Sequence, residues 1–300
     1  MKTLEGQVAV VTGATRGAGR GIACMLGEAG ATVYCTGRSS GLGRMNAHQT
    51  GDAAFRLDNR PETIEETAQM VNAYGGTGIP VQVDHTVEDQ VRALFARVRT
   101  EQGRLDILVD DVWGGDELSE WGKSFWELDL EKGRLMLERA IWSHIITARY
   151  AAPLLLAQGR GLVVEVTDGD NFSYRGNLFY DLVKISVIRL AYAMSVELAP
   201  HNITALAVTP GFLRSEAMLD HFGVTEANWQ EAAKQDPHFI ASETPFYVGR
   251  AVAALASDTK VSTKSGNVYS SWNLALEYGF TDIDGRQPNW GKYFKENISK

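Results

Sequence analysis

The sequence has little that would tie it to a metal, a membrane or a polyanion. Only two cysteines occur in 300 residues, Cys24 and Cys35. Both sit in apolar or helical patterns, and neither has a partner at zinc or iron–sulfur spacing. No metal is expected, and the two thiols read as buried and free in a reducing compartment. Positive charge is in deficit: 29 Lys and Arg face 37 Asp and Glu, a formal net charge of −8. Without a basic face to neutralise phosphates, neither nucleic acid nor an anionic membrane is expected as a partner. No apolar run is long enough to span a bilayer. The N-terminal residues run almost directly into a strand and lack the apolar stretch and cleavage site of a secretory leader. These absences predict a cytoplasmic protein. Internal repeats, linkers and low-complexity segments are also missing, so one domain is the simplest count.

What is present is alternation. Short β-branched runs at 7–12, 31–36, 78–84, 105–110, 161–167 and 202–210 read as buried strands. Helical stretches at 18–30, 64–76, 88–103, 131–159 and 180–200 separate them. A helix near 245–257 and a strand near 266–271 complete the set. Such alternation predicts an α/β fold: a doubly wound parallel sheet of about seven strands with helices on both faces. Residues 1–277 form the expected domain, and 278–300 read as a C-terminal tail.

The first strand opens into Thr12-Gly13-Ala14-Thr15-Arg16-Gly17-Ala18-Gly19 and then a helix. Glycines there permit a tight turn and close approach to a pyrophosphate, and the helix supplies free N–H groups and its positive dipole end. Downstream, Tyr180 and Lys184 lie one helical turn apart on one face. An ammonium beside a phenol favours the phenolate, as general acid–base catalysis requires.

With this TGATRGAG loop and Tyr180-Asp181-Leu182-Val183-Lys184, the chain resembles the short-chain dehydrogenase/reductase (SDR) family, over about residues 5–275. Pro210-Gly211 after the sixth strand also matches. The resemblance implies a single-domain Rossmann-like fold binding NAD(P), and an oxidoreductase moving hydride to or from a carbonyl or alcohol. It implies Tyr180 as general acid/base, with Lys184 holding it and the nicotinamide ribose. It further implies Ser215 at the nicotinamide carboxamide, Asp84 near the adenine, and a homodimer or homotetramer formed through helices 131–157 and 180–199. Asp84 has a plainer reading as a cap of the next helix. The phosphate preference follows from charge. Gly37 stands at the end of the second strand, where an NAD-preferring site usually has an acid, and Arg38 follows. Arg38 and Arg16 without a carboxylate suit a 2′-phosphate, so NADP(H) is the expected cofactor.

Three positions depart from the family pattern. Asp168 stands where a serine is usual, with Thr167 before it. Ala140 replaces an Asn in the long helix, and Asp110-Asp111-Val112-Trp113-Gly114 replaces Asn-Asn-Ala-Gly. These departures keep open a second reading, a non-catalytic NADP(H)-binding protein. If Val166, Phe172 and Phe179 desolvate Asp168, it stays protonated and donates a hydrogen bond to a carbonyl. Otherwise Thr167 or Ser173 supplies the hydroxyl. Trp113, Trp121, Trp126, Phe172, Phe179 and Phe212 are candidates to line a pocket for an apolar or aromatic small-molecule substrate. Residues 41–60 form an unusually long loop near the adenosine end.

Overall fold

The computed structural model describes residues 2–44 and 60–299. The core is a seven-stranded parallel sheet. Its strands are β1 (Val8–Val11), β2 (Thr32–Gly37), β3 (Thr77–Gln82), β4 (Ile107–Asp110), β5 (Gly161–Val166), β6 (Ile203–Thr209) and β7 (Val268–Ser270). They lie in the order β3-β2-β1-β4-β5-β6-β7. The order reverses between β1 and β4, so the crevice at the carboxyl ends of those strands is the topological switch point where such sheets bind ligands.

Strand alternation explains the two helix layers. Ala9, Val11 and Val33 face α1 (Gly17–Glu28), α2 (Ile64–Ala73), α8 (Pro245–Ser257) and α9 (Ser271–Tyr278). Val8, Val10 and Tyr34, one residue out of step, face α3 (Glu88–Gln102), α5 (Ser143–Gln158) and α6 (Leu178–Leu198). Burial on both faces is why these strands read as continuous apolar runs. Helices α1 and α8 cross at two glycines. A Cβ on Gly21 would lie 2.0 Å from the Pro245 carbonyl oxygen, and one on Gly249 would lie 2.4 Å from that of Gly21.

The long helix expected at 131–159 is interrupted. It runs as α4 (Leu130–Leu137), a π-helical turn at Glu138–Trp142, then α5. Ala140 sits buried in that wide turn. Two further helices, α7 (Glu216–Phe222) and α10 (Trp290–Asn297), close the crevice from the C-terminal side. Residues 279–299, set apart as a tail on sequence grounds, pack against the body. The Asp282 carboxylate accepts from Thr244 N at 2.8 Å, and Asp284 pairs with Arg214 at 3.1 Å. After β2, Ser39–Ser40 pairs antiparallel with Gly43–Arg44, and the rest of the long loop expected there, 45–59, lies outside the described residues. Among the described residues, no helix is long and apolar enough to cross a membrane.

Candidate active site

The glycine-rich loop sits at the switch point by close packing. Gly13 has φ +63°, and a Cβ there would lie 2.3 Å from the Asp111 carbonyl oxygen. The buried Thr12 hydroxyl donates to Asp110 Oδ1 at 3.2 Å and accepts from Asp111 N at 3.0 Å, joining the ends of β1 and β4. Gly19 approaches the Gly13 carbonyl so closely that a Cβ would lie 2.5 Å away. The first amide of α1, Gly17 N, donates to Glu216 Oε2 at 2.8 Å, and Arg20 lies 3.5 Å from the same carboxylate.

Apart from Thr12 and Gly19, the expected site residues line one crevice of about 650 Å³. The end at β2 and β3 holds Gly37, Arg38 and Asp84. Arg38 forms no ion pair among the described residues, and burial pulls its pKa down. Arg16 is half-committed: its Nε meets Glu62 at 3.2 Å, while its buried Nη2 has no partner among the described residues. Glu62 is shared with Arg60 at 2.5 Å. Asp84 accepts from Thr86 N at 3.0 Å and Thr86 Oγ1 at 2.7 Å, capping the turn before α3. Gly211, after Pro210, donates its amide to the buried Glu243 at 2.9 Å, and Ser215 caps α7.

At the other end stand Tyr180 and Lys184. Asn177 caps α6 by accepting from Tyr180 N at 3.1 Å. The Tyr180 hydroxyl donates to Asp168 Oδ2 at 2.8 Å. Its ring packs edge-on against Trp113 at 5.3 Å and tilted against Trp121 at 5.1 Å. The Lys184 ammonium lies 4.0 Å over the Trp113 ring centre. Burial pushes the Tyr180 phenol well above its ordinary 10, and the Asp168 carboxylate pushes the same way. Burial also lowers Lys184, against the pull of Asp168, Asp116 and Asp111. Burial raises Asp111 to about 7 despite Lys184 nearby. The help expected from Lys184 is therefore offset by burial first and by the Asp168 and Asp116 carboxyls second.

Several sequence expectations change here. Phe172 is 91% exposed, Trp126 packs on Phe125 at the surface, and Phe179 lies against Gly133. The apolar shell expected around Asp168 is not built, because loop 169–176 turns outward around Arg175. That guanidinium binds the Asp168 carbonyl at 2.5 Å and the Asp181 carboxylate at 3.0 Å. Thr167 lines the crevice but its hydroxyl donates to the Lys184 carbonyl at 2.7 Å, and Ser173 is exposed and outside the lining. Trp113, Trp121 and Phe212 do line it. Sequence reasoning missed Trp290, Asp236, His238 and Asp116, also in its wall. It also missed a buried cluster behind the site. His144 donates to Glu165 at 2.5 Å and to the Val112 carbonyl at 2.9 Å, with Asp110 beside them. Burial opposes a charged ring there, but Glu165 and Asp110 hold His144 up at about 9. Both ring nitrogens are thus occupied by protein acceptors.

Residues 32–222 match the family model described as short chain dehydrogenase. The chain belongs to the short-chain dehydrogenase family. This short-chain dehydrogenase is 36% identical over 288 residues to mouse dehydrogenase/reductase SDR family member 1, covering 94% of this chain and 85% of the relative. A solved short chain dehydrogenase of Mycobacterium thermoresistibile superposes with a TM-score of 0.75 at 20% identity, covering 96% of this chain and 92% of that one. A Beutenbergia cavernae structure with NADP bound at low occupancy has a TM-score of 0.68 at 23% identity, covering 90% and 97%. At those identities the two structures speak for the fold.

Proposed function

We propose that this short-chain dehydrogenase is an NADP(H)-dependent oxidoreductase acting on an apolar or aromatic carbonyl or alcohol. The observation that carries the proposal is the meeting of Tyr180 and Lys184 with the glycine-rich loop and Arg38 in one crevice at the switch point. The residues fit a dinucleotide. Gly13 leaves no room for a side chain against Asp111, and among the described residues the buried Arg16 Nη2 has no partner and Arg38 forms no ion pair. Arg38 and Arg16 would hold a 2′-phosphate, Asp84 the adenine side, Gly13 and Gly17 the pyrophosphate, with Gly19 packed beneath the loop, and Pro210, Gly211 and Ser215 the nicotinamide. Reduced nicotinamide bound there supplies a hydride. Tyr180 gives its phenolic proton to the substrate oxygen, and Lys184 stabilises the phenolate left behind. Asp168 holds the Tyr180 hydroxyl by accepting its hydrogen bond at 2.8 Å, a bond given up as the proton passes to the substrate.

A binding-only role is not favoured, since the chain keeps both Tyr180 and Lys184 within the crevice. Exposed Trp142, Leu156, Tyr192 and Val196 on the π turn, α5 and α6 support assembly of like chains through those helices.

Calorimetric titration tests the cofactor. NADPH should bind at least about tenfold more tightly than NADH, about 1.4 kcal/mol. Arg38→Asp should move the preference toward NADH. Equal affinities in the native protein would overturn the NADP assignment.

A further inference from the structure

The charge around Tyr180 is ill suited to an anionic intermediate. Three acidic groups, Asp168, Asp116 and Asp111, bear on the single ammonium of Lys184; burial raises Asp116 and Asp111 toward their neutral forms, so Asp168 weighs most. Of the other cations in the crevice wall or beside it, Arg16 and Arg38 line the end where the 2′-phosphate is proposed, and two more are committed to carboxylates. Arg175 pairs with Asp181 at 3.0 Å, and Arg139 pairs with Glu117 at 2.9 Å. Asp236 adds a further acid to the crevice wall, its carboxylate accepting from the His238 amide at 2.9 Å. A carbonyl reduced here passes through alkoxide character next to Asp168, whose oxygen lies 2.8 Å from the proton donor. Like charges repel at that range, and the phenol is made a weaker acid by the same neighbour.

A cation meets the opposite situation. Trp113 and Trp121 flank Tyr180, and Phe212 and Trp290, 5.4 Å apart, face into the same crevice. One of these rings already carries an ammonium on its face, that of Lys184 at 4.0 Å. Aromatic faces ringed by carboxylates are the chemistry that recognises organic cations.

We propose that the crevice prefers substrates bearing a basic nitrogen at the reacting carbon, reducing a cyclic iminium to a secondary amine. This rests on the hydride-transfer reading above. A C–H bond of the reduced nicotinamide would break, its hydride forming a C–H bond at the iminium carbon as the nicotinamide is oxidised, and the C=N π pair returns to nitrogen as its lone pair. The positive charge is neutralised, and the phenol need not give up a proton. Asp168 keeps the imine nitrogen protonated, and so electrophilic, by favouring the charged form. It is thus a specificity-determining residue.

The test uses the full chain, with NADPH binding first measured by fluorescence titration. Two bicyclic probes of matched size are compared, 3,4-dihydroisoquinoline and α-tetralone. The imine should show kcat/KM at least about tenfold higher, and Asp168→Asn should cut that ratio at least about tenfold, chiefly through KM of the imine. The NADPH titration reports whether the variant is folded. Asp116→Asn, which should lower the ratio in the same direction, serves if it is not. Tetrahydroisoquinoline, a cation that needs no turnover, should bind the NADP⁺-loaded protein at least about tenfold more tightly than tetralol. Equal or better use of the ketone by a protein that binds NADPH would overturn the inference and leave the hydride-transfer reading intact. Failure to bind NADPH would overturn both.

Discussion

Tyr180 stands between two influences, Lys184 on its own helix and Asp168 on the loop after β5. Only the first was visible as a local pattern, because residues four apart on a helix share a face. If Tyr180 is the proton donor, Tyr180→Phe should lower turnover by about 10²-fold or more while NADPH affinity stays within about twofold. Lys184→Ala should harm both, since its ammonium serves the phenol and the ribose. Stopped-flow absorbance and a binding titration separate the two effects. Wild-type turnover in Tyr180→Phe would pass the proton role to another group. The glycine loop, Arg38 and Tyr180 were legible because each lies in a short motif at a strand or helix end. Trp290 was not: it comes 110 residues after Tyr180 and reaches the crevice only because residues 279–299 fold back. Glu62 was hidden for the same reason. Its pairing with Arg16 joins positions 46 residues apart.

At the scale of elements, the strands announced themselves through burial on both faces. The helix over 131–159 did not announce its break, since a π turn widens the spiral by one residue without changing which residues are apolar. The meaning of glycine inside α1 was equally silent. Gly21 reads as a poor helix former, yet it is the point where α1 touches the start of α8. Gly21→Ala would raise helix propensity by about 1 kcal/mol on its own. The clash with the Pro245 carbonyl, a backbone atom that cannot rotate away, outweighs that gain. The variant should be destabilised by about 2 kcal/mol or more, read as a lower urea midpoint at unchanged slope. A midpoint equal to that of the native chain would mean that α8 moves freely relative to α1.

Over the whole molecule, acidic groups outnumber basic ones, and some are buried. Burial pushes Glu243 from 4.5 up to about 8, with hydrogen bonds from Ser271 and Gly211 restraining the rise. Between those values the folded chain holds a proton that the unfolded chain has lost. Stability is then greatest below about pH 4.5 as far as this group is concerned, falls as pH rises, and levels off above about pH 8. Asp111, raised to about 7, acts in the same direction. Thermal melts from pH 5 to 9 should show Glu243→Gln with a shallower decline than the native protein. Parallel curves would mean that Glu243 stays ionised when folded. Glu216, too, has a wider reach than its one hydrogen bond suggests. Its carboxylate already sits on the amide that opens α1. Any anion seeking that place must evict it, and so must loosen the end of α7, whose Met218 forms part of the crevice wall. Occupying the glycine loop and shaping the far wall are therefore linked equilibria, each altering the other by the same factor.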